Sequence, residues 1–211
     1  MLPVEVPLPG LGNEKRGATI TREAITRSIE ARLWQAGQRT DSIVATTRHA
    51  NSRVKGRVSR RVDRLRELEA QARTQLRELR GARQITWDEH VLELERRLDE
   101  LAIEMAITEA RLKAELTTDS MAFAAAVETE LIAWNTYIDA IQATAATSPE
   151  HARQRREAGI RRVRRRRADV RHQLQEYLNT PGNPSLILRI RVGNALTSLD
   201  QAAGEAATES G

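Results

Sequence analysis

Apolar residues recur at steps of three and four along most of this chain, and this spacing limits the possible folds more than any other feature. Such steps keep one side of an α-helix apolar, whereas a half-buried strand would alternate every second residue. A chain with 30% charged residues, 3% aromatic residues and 11 glycines also matches long helices better than a β-sandwich. The sequence therefore predicts an all-α fold, an elongated antiparallel helical bundle or coiled coil.

Breaks in this periodicity divide the chain into predicted segments. Residues 1–20 are expected to form an extended N-terminal arm, because prolines and glycines recur up to Gly12. A helix is expected to begin after Thr21, and residues 21–180 are expected to form the long-helix bundle. Residues 183–203 are predicted to form a short C-terminal helix, and residues 204–211 a mobile tail without apolar periodicity.

Local capping signals mark two further helix starts. Thr86 and Glu89 have the spacing of a capping box, in which each side chain accepts a hydrogen bond from the other residue's backbone N–H. Ser148 before Pro149 is typical of an N-cap followed by proline at the first helical position. These signals predict helices that begin near residues 87 and 149.

Other stretches leave the helix boundaries open. The apolar stripe thins over residues 37–52, so that residues 22–83 form either one helix or two. At residues 117–120 a possible N-cap means that the chain either turns or continues as one helix. The last segment alternates partly as a strand would, but Asn183 and Pro184 favour a helix start.

The residues at the three- and four-residue steps are predicted to form the interfaces between helices. A second apolar seam on the helix after residue 87 suits a multi-helix bundle better than a two-stranded coil. This seam contains Leu92, Ile103, Ile107 and Ala110. The predicted interface residues are Val91, Leu94, Leu98, Leu101, Met105, Leu112, Val127, Leu131, Trp134, Ile138, Ile141, Ile160, Val163, Val170 and Leu174.

The charge of the chain is unevenly distributed, although the net charge is +5 and the pI about 10.3. Residues 22–83 hold 16 basic and 7 acidic residues, residues 87–141 hold 4 and 13, and residues 149–178 hold 10 and 4. The order along the chain is therefore basic, acidic, basic. Because the connections between these segments are short, we expect antiparallel neighbours with basic segments against the acidic one.

The Arg-rich segment over residues 149–178 is the candidate contact for an anion or a nucleic acid. Arginines at this density can follow a phosphate backbone, but they can equally be solvated or paired with the acidic segment. The few aromatic residues are not interleaved with the arginines, so a base-stacking platform is not expected. The candidate contact residues are Arg161, Arg162, Arg164, Arg165, Arg166 and Arg171.

The sequence predicts no catalytic residue, no cofactor site and no metal site. With no cysteine, the chain cannot form disulfides or thiolate metal sites. A glycine-rich phosphate loop and a nucleophile elbow are both missing. A di-iron bundle would need two Glu-x-x-His pairs, and the nearest approach here is the single pair of Asp169 and His172.

These observations predict a non-catalytic structural or interaction protein, a helical coiled-coil subunit of a larger bacterial or phage assembly. Apolar stripes on helices of this length favour self-association or binding to another protein of the assembly. The alternative is a sequence-independent nucleic-acid-binding protein that uses the Arg-rich helix. No apolar run approaches the length of a membrane span and no secretory signal is recognisable, so a cytoplasmic or virion-associated location is expected.

Overall fold

The computed structural model describes residues 13–83, 85–180 and 186–208, with side chains from residue 22 onward. Within these ranges the chain is helical and contains no strand, which confirms the predicted all-α class. Six helices pack against one another. They are α1 (Asn13–His49), α2 (Ser52–Gly81), α3 (Trp87–Leu116), α4 (Ser120–Ala146), α5 (Glu150–Asn179) and α6 (Leu186–Thr208).

Successive helices run antiparallel, as their short connections predict. In an antiparallel pair, a residue near the start of one helix contacts a residue near the end of the other, and mid-helix residues contact one another. The contacts between successive helices include Arg80 with Glu30, Arg64 with Glu100, Arg111 with Glu130, Arg164 with Gln142, and Gly159 with Ala206. Helices α1 and α3 run parallel, because Arg32 pairs with Asp99 and Arg39 with Glu109.

The buried apolar residues form two separate cores. The first core joins α1, α2 and one side of α3, and Leu65 and Leu101 are fully buried in it. The second core joins α4, α5 and α6 to the other side of α3 through Ile107 and Ala114. Val163 of α5 lies at its centre with no exposed surface. Helix α3 therefore contributes to both cores, which explains why its apolar face is broad.

The first helix begins earlier than predicted. Helix α1 starts at Asn13, so the prediction of an extended arm was wrong for residues 13–20. The prolines that suggested an arm all precede residue 10, and from residue 13 onward nothing in the backbone chemistry prevents a helix. Residues 1–12 of the predicted arm lie outside the described residues.

Residues 22–83 form two helices, with the break at the end of the thinned stretch. Helix α1 continues to His49, and the Asn51 side chain caps α2 by accepting a hydrogen bond from the Val54 N–H at 3.0 Å. Gly37 remains helical and lies against α2, since an added Cβ would be 3.0 Å from a carboxylate oxygen of Glu69. This glycine therefore lies where α1 faces the Glu69 and Arg73 side chains of α2.

Two predicted caps are formed differently. The Thr86 hydroxyl donates to the Arg83 carbonyl at 3.4 Å and makes no cap bond, so the predicted capping box was wrong. The Ser148 hydroxyl donates back to the Thr144 carbonyl at 2.8 Å, and α5 begins at Glu150 without a side-chain cap. The open question at residues 117–120 is resolved as a turn, with the Asp119 side chain capping α4.

The last helix extends beyond the predicted boundary. Helix α6 continues to Thr208, so the prediction of a mobile tail was wrong for residues 204–208. Ala206 is buried against Gly159, where an added Cβ would lie 2.8 Å from the Ala206 Cβ. Because the α6 residue in this contact is an alanine and not a large apolar residue, the apolar periodicity of α6 was not evident in the sequence beyond residue 203. Residues 209–211, and the predicted cap at Asn183 and Pro184, lie outside the described residues.

Candidate functional site

A cluster of charged side chains lies buried where α2, α3, α4 and α6 meet, beside both apolar cores. We call it the buried charge cluster. Its members are Arg61, Glu104, Arg111, Glu130 and Asp200. Each arginine contacts two carboxylates, and Asp200 contacts both arginines, so the cluster links four helices through side chains of opposite charge.

The pair of Arg111 and Glu130 is the most deeply buried part of this cluster. Two parallel hydrogen bonds join them, Nε to Oε2 at 2.8 Å and Nη2 to Oε1 at 2.5 Å. The Trp134 indole N–H donates to the same carboxylate at 3.3 Å. Because neither side chain has significant contact with solvent, removal of one partner would leave the other charge buried and unpaired, at a cost of about 3–5 kcal/mol.

Asp200 connects this pair to α2. One of its oxygens accepts from Arg111 Nη1 at 3.1 Å, and the other accepts from Arg61. Arg61 also donates to Glu104 at 2.7 Å, and its guanidinium carbon lies 5.1 Å from the centre of the Trp134 ring. The α6 carboxylate therefore holds α6 in register with both α2 and α3.

Burial and pairing act in opposite directions on the pKa values in this cluster. Burial raises the pKa of Glu104 above its usual range, and the Arg61 charge opposes that shift. Burial alone would lower the pKa of Arg61, but Glu104 and Asp200 outweigh it and raise that pKa. Burial likewise opposes the charged form of Arg111, and Glu130 and Asp200 raise its pKa strongly. Both arginines therefore stay charged, and their hydrogen bonds hold the helices together.

Sequence reasoning did not single out these residues, although the sequence contains a usable signal. Each one lies three or four residues from apolar core residues on both sides, as Arg61 does between Val58 and Leu65, and Glu130 between Val127 and Trp134. A charged residue at such a position is buried with the stripe and therefore needs a partner. The identity of the partner depends on helix packing and could not be found from the stripe.

The predicted interface residues all lie in the two cores. Each is buried except Ile141, which is partly exposed and packs against the second core. The residues of α3 from Val91 to Met105 belong to the first core, and those of α4 and α5 belong to the second. In the second seam, Ile107 and Ala110 are buried, but Leu92 is exposed, so its assignment to the seam was wrong.

The structure divides the predicted arginine contacts among different sides of α5. Arg161 and Arg165 are exposed on the side opposite the buried residues, and Arg164 and Arg171 are exposed on the flank where Arg164 contacts α4. We call these four the outer arginine face. Arg166 is exposed on a flank of the helix, and Arg162 is only partly exposed.

The expected pairing of basic with acidic segments is observed on one side of the acidic helix. Arginines of α1 and α2 pair with α3, for instance Arg39 with Glu109 at 2.8 Å and Arg57 with Glu115 at 2.9 Å. On α5, the carboxylate near Arg161 among the described residues belongs to the same helix, that of Glu157 at 3.9 Å.

The remaining outer arginines are not neutralised by the acidic helices. Arg165 and Arg171 have no ion-pair partner in the described part of the chain, and Arg164 donates to the neutral amide of Gln142 at 2.6 Å. The like charge of Arg171 adds to burial in lowering the pKa of Arg167 on the inner side. The outer arginine face therefore carries uncompensated positive charge.

Large apolar side chains are exposed where α3 ends, α4 begins, α5 ends and α6 begins. Arg189 ties these ends together, because it donates to the Ala114 carbonyl at 2.8 Å and lies over the Phe123 ring. The Phe123 ring in turn packs on Tyr177. We call this surface the apolar end, and its exposed residues are Leu116, Met121, Leu178, Leu186 and Ile187.

The described ranges contain neither a candidate metal site nor a candidate membrane span. These residues contain no group of three or more histidine, aspartate or glutamate side chains that could hold a metal ion. Among the helices described, none is both long enough and apolar enough to cross a membrane. In comparisons with family models, curated proteins and solved structures, the chain matches none of them.

Proposed function

We propose that this protein is a non-catalytic structural or interaction protein, a helical subunit of a larger bacterial or phage assembly that associates with itself through the apolar end. The apolar end is the observation that carries the proposal. Large apolar side chains grouped on a surface mark interaction sites more often than scattered single ones do. Met121, Leu186 and Ile187 are each at least 63% exposed there, although two apolar cores were available to bury them.

The character of the buried charge cluster supports a structural role. Its carboxylates are held in ion pairs with Arg61 and Arg111, and these pairs join residues of four helices. The cluster therefore fixes the helices against one another, as a subunit with a defined surface requires.

Light scattering over a concentration series tests this proposal. Wild-type protein should form a stable oligomer, and the double substitution Met121→Glu with Ile187→Glu should yield monomers, because a buried interface would then contain unpaired carboxylates. The matched control places glutamate at Leu92 and Ile132, two exposed residues away from the apolar end, and should leave the oligomer unchanged. A compact monomer of wild-type protein up to its solubility limit contradicts the proposal.

A second candidate function, sequence-independent binding of nucleic acid, is favoured by the uncompensated charge of the outer arginine face. Arg161 and Arg171 are separated by ten residues, about 15 Å along the helix. A charged row of this length can contact several successive phosphates, and each contact would release counterions. No aromatic residue joins the row, which is consistent with recognition of the backbone and not of the bases.

Titration of a mixed-sequence DNA duplex at several salt concentrations tests the second candidate. Glutamine at all four positions of the outer arginine face should abolish binding, and for wild-type protein the logarithm of affinity should fall with that of salt at a slope of about −3 to −4. The control removes four exposed charges elsewhere, at Arg48, Arg53, Arg66 and Arg77. Equal loss of binding in both variants would show a general charge effect and would refute the assignment to α5.

A further inference from the structure

A groove between α2 and α6 encloses a cavity of about 540 Å³. One wall is formed by α2 with Gly56 and Arg60, and the other by α6 with Thr197 and Gly204. Tyr137 of α4 and parts of the buried charge cluster lie between the walls. The volume is within the range of about 300–1,000 Å³ that is usual for small-ligand sites.

The glycines of this groove are not required by the protein's own packing. At Gly159 an added Cβ would lie 2.8 Å from the Ala206 Cβ, so a close contact accounts for that glycine, whereas at Gly37 and Gly193 it would meet the ends of the Glu69 and Arg57 side chains. At Gly56 and Gly204 an added Cβ would meet nothing within 4 Å, yet a glycine inside a helix costs about 0.5–1 kcal/mol relative to alanine. Both of these residues line the cavity, from opposite walls. The space that they leave is therefore available to an occupant that approaches the backbone.

The polar groups of the groove favour a negatively charged occupant. The carboxylates of Glu100, Glu104 and Asp200 are already engaged by arginines of α2 or α3. Arg60 is exposed at the rim and has no ion-pair partner among the described residues, so the uncompensated charge is positive.

Tyr137 supplies a neutral donor within the groove. Burial, assisted by the negative charges of Glu104 and Glu100, raises the pKa of Tyr137 to about 12, which keeps the hydroxyl protonated at neutral pH. The ring packs edge-on against Trp134 at 5.2 Å between centroids, and its face offers apolar surface. An occupant can therefore combine an acidic group with an aromatic or other apolar body.

We propose that the α2–α6 groove binds a small organic anion, with its carboxylate or phosphate at Arg60 and its apolar body between the Gly56 and Gly204 walls against Tyr137. This site goes beyond the proposed function and uses neither the apolar end nor the outer arginine face. Carboxylates and phosphate esters share the chemistry that the arginine recognises, since both accept charge-assisted hydrogen bonds from a guanidinium group.

Calorimetric titration of the full chain with phenyl phosphate, benzoate and benzylamine tests this site. The two anions report which acidic group is preferred, and benzylamine is a cation of similar size. At least one anion should bind saturably with a Kd below about 1 mM, and benzylamine should not bind. The indole N–H resonance of Trp134, which lines the groove, should shift during the anion titration.

Two substitutions test whether the anion binds in the groove. Gly204→Leu places a bulky side chain in the groove, at a position where an added Cβ meets nothing within 4 Å, and Arg60→Gln removes the unpaired charge at the rim. Each should weaken binding by about tenfold or more. Two matched controls lie on α2 outside the groove. Gly81→Leu alters another glycine where an added Cβ meets nothing within 4 Å, and Arg77→Gln alters an exposed arginine. Both controls should bind the anions as wild type does.

Three results would each refute the proposed anion site. Absence of saturable binding of both anions refutes it, and so does binding that Gly204→Leu leaves unchanged. Equal binding of benzylamine refutes the charge assignment and with it the proposal. Because Arg60 is exposed and unpaired, the Arg60→Gln variant is expected to fold, and its unfolding curve should match that of the Arg77→Gln control.

Discussion

Helices α2 and α5 are both 30 residues long and rich in arginine, but they use their arginines in different ways. The arginines of α2 that face α3 are paired across the interface, as Arg61 is with Glu104 and Arg64 with Glu100. The arginines of the outer arginine face of α5 are exposed, and the contact of this helix with α6 depends on small residues, Gly159 against Ala206. Similar composition therefore serves a structural purpose in one helix and leaves charge available in the other.

The difference follows from what each helix packs against. Helix α2 lies along the acidic α3, so that its arginines find carboxylate partners in the interface. Helix α5 packs on α4 and α6 through Ile160, Val163 and Val170, and within the described ranges no run of carboxylates faces its outer side. Charge in a sequence shows its role only when the neighbours of the helix are known.

The largest effect is expected where an α2 arginine is removed from the buried charge cluster. Arg61→Ala leaves Glu104 and Asp200 without one of their partners, in a region where Arg61 itself is only 6% exposed. The free energy of unfolding should fall by about 3–5 kcal/mol. Urea denaturation followed by circular dichroism measures this loss. A loss below about 1 kcal/mol would show that the α2 pairs are not needed for stability, and the contrast with α5 would fail.

A smaller effect is expected at the close contact between α5 and α6. Gly159→Ala puts a methyl group 2.8 Å from the Ala206 Cβ, and overpacking of this kind costs about 1–3 kcal/mol. The matched control Gly204→Ala meets no atom and should stabilise α6 by about 0.5–1 kcal/mol through helix propensity. Thermal unfolding of both variants gives the comparison. If both substitutions change the stability in the same direction, steric contact does not determine the α5–α6 interface.

The smallest effect concerns an ion pair at the partly exposed edge of the α2–α3 interface. Hydrogen bonds from Arg96, opposed by partial burial, lower the pKa of Glu93 from 4.5 to about 2. A carboxylate whose pKa is lowered by folding contributes stability above its unfolded pKa, and this contribution is lost as the pH falls from about 4.5 towards 2.

The variant Glu93→Gln should therefore melt below wild type at pH 7, and the difference should shrink at pH 2.5. Glu95→Gln serves as the control, because Glu95 has no ion-pair partner in the described structure. A difference between Glu93→Gln and wild type that is independent of pH would show that the carboxylate charge is not involved.

Much of the fold could be predicted from local spacing. Steps of three and four identified core residues such as Leu101 and Val163, because a helix repeats its faces at that period. The boundaries were less predictable. Helix α6 extends past residue 204 through a contact of Ala206 with Gly159, and no local rule reveals a partner on another helix.

The functional surfaces were predictable only in part. The density of arginines on α5 was evident, but which of them are neutralised depends on packing, and only the structure separates Arg165 from Arg162. The division into two cores, with Arg111 and Glu130 at their junction, was also hidden, because both residues resemble ordinary surface charges in a charged sequence. Which charged residues pair across helices is determined by how the helices pack.

The most direct test of the contrast between α2 and α5 neutralises three arginines on each helix and compares stability. One variant carries glutamine at Arg57, Arg61 and Arg64, and the other at Arg161, Arg164 and Arg165. The two variants lose the same charge, so any general effect cancels. We predict that the α2 variant loses about 3 kcal/mol or more of unfolding free energy and that the α5 variant stays within about 1 kcal/mol of wild type. Equal losses in the two variants would contradict the contrast.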